Sequence, residues 1–269
     1  MNIRHISASA LLAALSSPLL AAIDLAPTLS GSYAAGTGAS ALFVKVDDNW
    51  QGSTVLWNED TLSYGSGSPI GSYGWGTGIW GIADWNALIG VPAGQAPVLS
   101  TWSGLASQIN FGNTLYNDVY AGQWGSTLAM PQPELQTNWL AQFTGYIRIT
   151  EADAYNFSVL YDDGFFFKLY GSEGNSVSIE QDGVNPRDRE GFADDLMLEA
   201  GLYRFELGVY NRLEAGVVDL RWSRGGSGDW TLVPTEALVT TPLAVPEPAA
   251  WAMLAGGLAL VGAMARRRR

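Results

Sequence analysis

Residues 154–170 are Ala-Tyr-Asn-Phe-Ser-Val-Leu-Tyr-Asp-Asp-Gly-Phe-Phe-Phe-Lys-Leu-Tyr, two apolar alternations separated by Asp162-Asp163-Gly164. Aromatic and aliphatic side chains at every second position share one face of an extended chain, because strand side chains point alternately to opposite sides. Asp and Gly both favour tight turns, since Asp tolerates turn geometry and Gly adopts positive φ. The stretch therefore predicts two strands, 154–160 and 165–170, joined by a turn.

The same two-residue period occurs on both sides of this stretch. It predicts further strands at 142–150, 201–210 and 217–222. Five strands at this spacing, without a sustained helical period, predict an all-β protein built as an antiparallel β-sandwich or barrel.

The remaining segments are less regular. Short apolar runs predict strands at 41–46 and 54–57, and 84–89 favours one helical turn before Pro92. The acidic connection 171–198 is long enough to be predicted as a functional or mobile loop. Its acids lack the order of an EF-hand, so we expect a solvated face there.

The charge and composition exclude several classes of function. Between residues 23 and 245, nine basic residues face 25 acidic ones, so we expect no nucleic-acid partner. The chain has no cysteine, and its one histidine, His5, lies near the N-terminus. Disulfides, Ser-His-Asp or Cys-His catalysis and the usual zinc sites are therefore not expected. Nothing selects a glycosidase pair among the carboxylates, so we expect a protein that is not an enzyme.

The N-terminal segment predicts export. Arg4 and His5 precede an apolar and small-residue stretch from 6 to 20, and Ala21-Ala22 offers a cleavage point. This pattern is typical of a secretory signal peptide at 1–22.

The C-terminal segment predicts a second targeting signal. Val245-Pro246-Glu247-Pro248 precedes an apolar run at 249–265 and four terminal arginines. The run is long enough for one short membrane-spanning helix, with the arginines on the cytoplasmic side. The triplet, the span and the arginine cluster resemble the PEP-CTERM sorting signal. That resemblance implies recognition by an exosortase and delivery, after an inner-membrane intermediate, to the surface of a bacterium that makes exopolysaccharide.

A second resemblance is carried by motifs in a fixed order. They are Trp139 with the glycine-containing strand after it, Ala154-Tyr155-Asn156-Phe157, Tyr161-Asp162-Asp163-Gly164, Leu198-Glu199-Ala200-Gly201-Leu202-Tyr203, Val218-Asp219-Leu220-Arg221-Trp222 and Val233-Pro234. This order resembles the protective-antigen domain family, a lectin-like β-sandwich of bacterial toxins, glycosidases and fungal adhesins. It implies a sandwich at 75–238. We therefore expect a Gly- and Ser-rich N-terminal part of strands and loops at 23–74, a linker at 239–245 and the sorting signal at 246–269.

The resemblance also implies a cation site. In sugar-binding members, two adjacent aspartates joined by a cis peptide bind Ca²⁺ together with a loop asparagine and backbone carbonyls. By resemblance these residues are Asp162, Asp163 and Asn211, with the carbonyls of Leu213 and Ala215 as lesser candidates. Oxygen donors of this kind suit Ca²⁺. Asp-Asp-Gly is equally an ordinary turn sequence, and Asn211 an ordinary residue at a strand end.

Exposed aromatic rings are the second kind of sugar contact that we consider. Trp75, Trp80, Trp85 and Trp124 lie in Gly-rich or loop-like segments and are the candidate stacking platforms. Most tryptophans are buried, however. The expected function is a calcium-assisted carbohydrate-binding module at the cell surface or in the extracellular matrix. The alternative is a structural spacer without a glycan ligand.

Overall fold

The computed structural model describes residues 23–50, 55–58, 63–66 and 77–244. The predicted signal peptide, Trp75 and the segment 245–269 lie outside these ranges. The described strands, in chain order, are β1 Ile23–Leu25, β2 Leu29–Ser30, β3 Ala39–Val46, β4 Val55–Asn58, β5 Ser63–Ser66, β6 Val98–Ala106, β7 Asn110–Gly112, β8 Leu128–Ala129, β9 Trp139–Ile149, β10 Asp153–Asp162, β11 Gly164–Tyr170, β12 Ser176–Gln181, β13 Asp188–Gly191, β14 Leu196–Leu198, β15 Gly201–Asn211, β16 Val217–Arg224, β17 Thr231–Leu232 and β18 Leu238–Val239.

The described helices are short. Helix α1 is Ile82–Leu88, and a π-helical turn Tyr116–Tyr120 runs directly into α2, Ala121–Trp124. Two 3-10 turns, Ser172–Gly174 and Thr235–Ala237, complete the set. Within the described ranges no helix is long and apolar enough to cross a bilayer, and the predicted span 249–265 lies outside them.

Two eight-stranded sheets carry the fold. The first has the order β1-β14-β10-β16-β7-β8, with β13 also paired to β10 and β17 to β16. The second has the order β12-β11-β15-β9-β3-β6, with β18 also paired to β9 and β2 to β15. Pairing is antiparallel except for β1 with β14 and β7 with β8, and β4 with β5 forms a separate hairpin.

The main core contains side chains of both sheets. Phe157 of the first sheet and Phe167 of the second are both fully buried, with ring centroids 5.7 Å apart. Phe143 and Phe205, from neighbouring strands of the second sheet, belong to the same cluster. Because burial of each large aromatic side chain contributes about 1.5–3 kcal/mol, this shared core holds the sheets together. The predicted all-β class is confirmed.

The five strands predicted from the two-residue period are all present. They correspond to β9, β10, β11, β15 and β16, and their observed ends lie within three residues of the predicted ones. The predicted runs near 41–46 and 54–57 correspond to β3 and β4, and the predicted helical turn corresponds to α1.

The prediction of one long loop at 171–198 is wrong. This segment contains three short strands, β12, β13 and β14. β12 pairs with β11, whereas β13 and β14 pair with β10. Each is an edge or peripheral strand of three to six residues, and short half-exposed strands show little apolar periodicity.

Strand β3 comes from the predicted N-terminal part, yet it lies inside the second sheet. It pairs with β9 on one side and with β6 on the other. Strands β1 and β2 also pair with strands of the second half. Residues that precede position 75 therefore contribute to both sheets.

Candidate functional site

The turn between β10 and β11 is the point where the chain passes from the first sheet to the second. Asp162 is the last residue of β10, and Gly164 is the first residue of β11. The peptide bond that joins Asp162 to Asp163 is cis, as the resemblance implies. A Cβ on Gly164 would stand 2.2 Å from the hydroxyl oxygen of Tyr210. Glycine therefore lets this turn pack directly against β15.

The Asp162 carboxyl group is buried, with 8% of the residue exposed. It accepts a hydrogen bond from Nη2 of Arg187 at 3.1 Å, and the same guanidinium lies 3.7 Å from the ring centroid of Tyr120. Burial raises the pKa of Asp162 to about 8, and the charge of Asp163 acts in the same direction against Arg187. The one guanidinium in contact therefore does not offset the cost of burying this carboxylate.

The Asp163 carboxyl group is buried to a similar degree. Its Oδ2 accepts the backbone N–H of Arg212 at 2.6 Å, and its own backbone N–H donates to the carbonyl of Tyr210 at 2.9 Å. The carbonyl of Asp163 accepts Nδ2 of Asn185 at 3.2 Å. Burial raises the pKa of Asp163 to about 7, although the N–H and the charge of Arg212 both lower it.

Asn211 ends β15 next to these carboxyls and is fully buried. Its Nδ2 donates to the carbonyl of Leu213 at 2.9 Å. Its Oδ1 is buried without a hydrogen-bond partner. A Cβ on Gly216 would lie 2.6 Å from Cγ of Asn211, so the loop backbone closes over this amide. An unpaired buried oxygen of this kind typically costs about 1–3 kcal/mol.

The loop 211–216 is fixed by two buried asparagines. Nδ2 of Asn113 donates to the carbonyl of Glu214 at 2.6 Å, and its backbone N–H donates to that of Gly216 at 3.0 Å. The backbone N–H of Asn138 donates to the carbonyl of Arg212 at 2.8 Å. The loop that presents Asn211 is therefore ordered by contacts from distant parts of the chain.

The donors at this turn fit a hard divalent cation. They are two carboxyl groups, one amide oxygen and backbone carbonyls, which match the oxygen ligands of Ca²⁺. Within the described ranges no group of three or more Asp, Glu, His or Cys side chains could hold a metal ion. A cation here would therefore depend on the amide and the carbonyls as well as on the two acids. The carbonyl of Leu213 already accepts Asn211, and Ala215 is buried in an apolar cluster.

Two of the four predicted stacking tryptophans are buried. Trp80 is 5% exposed and has the guanidinium carbon of Arg212 4.2 Å from its ring, and Trp85 is 3% exposed. Trp85 packs in the apolar cluster on the outer face of the second sheet. Neither ring is open to a sugar in this structure, whereas Trp124 is partly exposed. Trp75 lies outside the described residues.

The acidic segment supports the turn rather than forming a second cluster. Oδ1 of Asp182 accepts the backbone N–H of Ile82 at 2.7 Å, and the Tyr210 hydroxyl donates to the carbonyl of Gly183 at 2.7 Å. Asp188 and Glu190 are exposed. These contacts tie α1 and the segment after β12 to the strand that carries Asn211.

Several residues of the site were not predicted from the sequence. Arg187 pairs with Asp162, Arg212 caps Asp163, and Asn113 and Asn138 hold the loop. The nearest sequence signal was a basic residue inside an acidic segment, at Arg187. Its partner lies 25 residues earlier in the chain, and no local pattern links the two.

Several solved structures are similar to this chain in backbone course. One is an anti-sigma factor domain-containing protein from Clostridium clariflavum, with 17% identity, a TM-score of 0.45 and coverage of 80% of this chain and 52% of that one. Another is the PA14 sugar-binding domain from an RTX adhesin, with 15% identity, a TM-score of 0.48 and coverage of 77% and 100%. A third is the Epithelial Adhesin 6 A domain from Candida glabrata in complex with Galb1-3GlcNAc, with 15% identity, a TM-score of 0.46 and coverage of 84% and 99%.

The chain spans about half the length of the two anti-sigma factor domain-containing proteins that it matches. No curated protein sequence is significantly similar to it. Sugar binding, where it is named for these structures, is a property of those proteins.

The C-terminal segment has a match of its own. Residues 244–269 match the PEP-CTERM protein-sorting motif, in agreement with the resemblance noted in the sequence. Ala244, the first matched residue, forms a bridge with Tyr33, so the motif begins where the described fold ends. The chain therefore carries a PEP-CTERM protein-sorting motif, which implies export to the cell envelope or surface.

Proposed function

We propose that the protein is a non-enzymatic module of the cell surface or extracellular matrix that binds a glycan through Ca²⁺ held by Asp162, Asp163 and Asn211. The observation that carries the proposal is the buried, unpaired Oδ1 of Asn211 beside two desolvated carboxyl groups. An exosortase processes the sorting segment, residues 249–265 hold the intermediate in the membrane, and the product associates with exopolysaccharide.

The charge balance at the turn supports a bound cation. Burial withdraws the water that would solvate Asp162 and Asp163, and each carboxylate repels the other. Arg187 contacts one carboxyl group, and the other accepts the backbone N–H of Arg212 and feels the charge of that residue. A divalent ion supplies the missing positive charge and gives the orphaned Asn211 oxygen a partner.

Bound Ca²⁺ would supply Lewis-acid contacts to hydroxyl groups. It takes six to eight oxygen ligands, more than two carboxylates and one amide provide. The remaining positions suit the vicinal hydroxyls of a sugar. Asp162, Asp163 and Asn211 orient the ion, and Arg187 offers further N–H donors at the same edge.

A neutral glycan fits this site better than a polyanion. The chain has a formal net charge of −12, and a strongly acidic surface repels nucleic acid and anionic lipid. Hydroxyl groups are attracted to a coordinated cation regardless of the net charge of the protein.

The proposal is tested by a glycan array probed with the full chain in mild detergent. We expect binding to neutral glycans in 1 mM CaCl₂ that is lost in excess EGTA, and lost in Asp163→Asn under both conditions. Binding that survives EGTA and Asp163→Asn would place the glycan elsewhere. No glycan binding in either buffer would favour the spacer role.

The proposed site also makes a pH-dependent prediction. The pKa values of Asp162 and Asp163 are raised to about 8 and about 7, so without calcium the folded protein holds protons that the unfolded chain has released. Calcium-free stability should therefore fall as the pH rises from about 4 to about 8.

Calcium must displace the same protons, so its affinity should change in the opposite direction. Between pH 8.5 and pH 5.5 we expect the affinity to fall by roughly two orders of magnitude or more. Calorimetric titration in two buffers of different ionisation enthalpy measures both the affinity and the protons released. A Kd that is constant over this range would contradict the assignment.

A further inference from the structure

The outer face of the first sheet carries an arginine pair, Arg189 and Arg221, on one buried carboxylate. Asp219 is 2% exposed and accepts Nη2 of Arg189 at 2.9 Å. Nε of Arg221 lies 3.1 Å from both oxygens of the same carboxylate. Nη1 of Arg189 also donates to Oγ of Ser158 at 3.3 Å. Arg189 lies on β13, whereas Asp219 and Arg221 lie on β16, and β10 runs between these two strands. Arg189 and Asp219 both pair with Leu160 of β10, and Arg221 pairs with Ser158.

This cluster has one positive charge in excess. Two guanidinium groups share a single carboxylate, on a chain whose formal net charge is −12. The side chains of Arg189 and Arg221 are 21% and 28% exposed. Each guanidinium has five N–H donors, and the hydrogen bonds above use two from Arg189 and one from Arg221. Donors therefore remain at the accessible edge of the pair.

Two partly exposed tryptophans lie in segments next to the arginine pair. Trp124 ends α2 and is followed by Gly125, where a Cβ would lie 3.3 Å from Nη2 of Arg221. Cη2 of Trp230 lies 3.6 Å from the place of a Cβ on Gly191, which pairs with Ser158. Both rings are only partly buried. Gly125 and Gly191 therefore place no side chain beside Arg221 and Ser158.

We propose that this cluster binds the carboxylate of a uronic acid residue in a glycan. Planar guanidinium groups match a carboxylate in geometry and form charge-assisted hydrogen bonds with it. The cluster has one excess positive charge, which balances a monoanion such as a carboxylate. A phosphate dianion would place surplus negative charge beside Asp219. The apolar C–H faces of a pyranose suit the flanking indole rings.

This site goes beyond the calcium site and does not depend on it. It needs no metal ion, because the arginines supply the positive charge. Asp219 pairs with Leu160, which lies two residues before Asp162 on the same face of β10, about 7 Å away along the strand. The two sites therefore face the same side of the first sheet but have different chemistry.

The test compares digalacturonate with its dimethyl ester, which keeps the rings and removes the charges. The full chain in mild detergent is titrated calorimetrically with each sugar in excess EGTA. We expect the acid to bind at least ten times more tightly than the ester. Arg221→Gln and Trp124→Ala should each weaken binding of the acid at least tenfold.

Arg224→Gln is the matched control, because Arg224 lies on the same strand but pairs with Glu151 and Asp153. Its Kd should stay within twofold of wild type. Equal binding of acid and ester, or equal losses in Arg221→Gln and Arg224→Gln, would overturn the proposal. If Arg221→Gln fails to fold, two measurements still test the proposal. They are the ratio of the Kd values for the ester and the acid, and the effect of Trp124→Ala, whose side chain is partly exposed. Because these titrations are done without calcium, their result does not depend on whether the proposed calcium site exists.

Discussion

Calcium at one hundred times its Kd should raise the free energy of unfolding by about 2.7 kcal/mol. For a protein of this size, that corresponds to an increase in Tm of roughly 5–10 °C. In Asp163→Asn the increase should disappear, because the substitution removes a ligand charge. Oδ1 of the asparagine can still accept the backbone N–H of Arg212, which now contacts Oδ2 of Asp163. Thermal unfolding of the full chain with CaCl₂ or EGTA measures the effect.

The calcium-free comparison distinguishes loss of a ligand from loss of the fold. Burial disfavours the charged form of Asp163, so at pH 8 and without calcium the Asn variant should be at least as stable as wild type. Glu190→Gln is the matched control, since Glu190 is exposed on β13, and it should keep the full calcium shift. A calcium shift that persists in Asp163→Asn would place the ion elsewhere.

Phe157→Ala should lower the free energy of unfolding by about 3–5 kcal/mol. The ring of Phe157 is fully buried and contacts Phe167 of the opposite sheet and Trp222 of its own, with centroids 5.7 Å and 6.4 Å away. Truncation leaves a cavity between the two sheets, so Tm should fall by roughly 6 °C or more.

Leu105→Ala is the matched control for core truncation. Leu105 lies on the edge strand β6 and is 51% exposed, so its loss should change stability by no more than about 0.5 kcal/mol. Equal effects of the two substitutions would contradict a core shared by the two sheets.

The strands that the sequence predicts are those that place every second side chain in the main core and are long enough to show a period. β9, β10, β11, β15 and β16 each present alternating buried side chains to the main core. The strands that it misses, such as β13 and β14, have three or four residues. The position of β3 could not be predicted either. Its partner β9 lies about a hundred residues later, and no local pattern specifies so distant a pairing.

The candidate site was predictable in part for a related reason. Asp162 and Asp163 stand together in the sequence, and the resemblance supplies Asn211. Arg187 and Asn113 reach the site only through tertiary contacts, one of which spans 101 residues. Trp80 and Trp85 lie in a segment rich in glycine, which resembles an exposed loop. The structure packs that segment over the second sheet, and covering of a sheet face is a property of the whole fold.

The most direct test of the central claim is a crystal of the protein grown in 5 mM CaCl₂ and measured at a long wavelength, where calcium scatters anomalously. A calcium ion bound at the proposed site should give an anomalous peak coordinated by Asp162, Asp163 and Oδ1 of Asn211. A map without a peak at this turn, with the Asn211 oxygen bonded to water or protein instead, would contradict it.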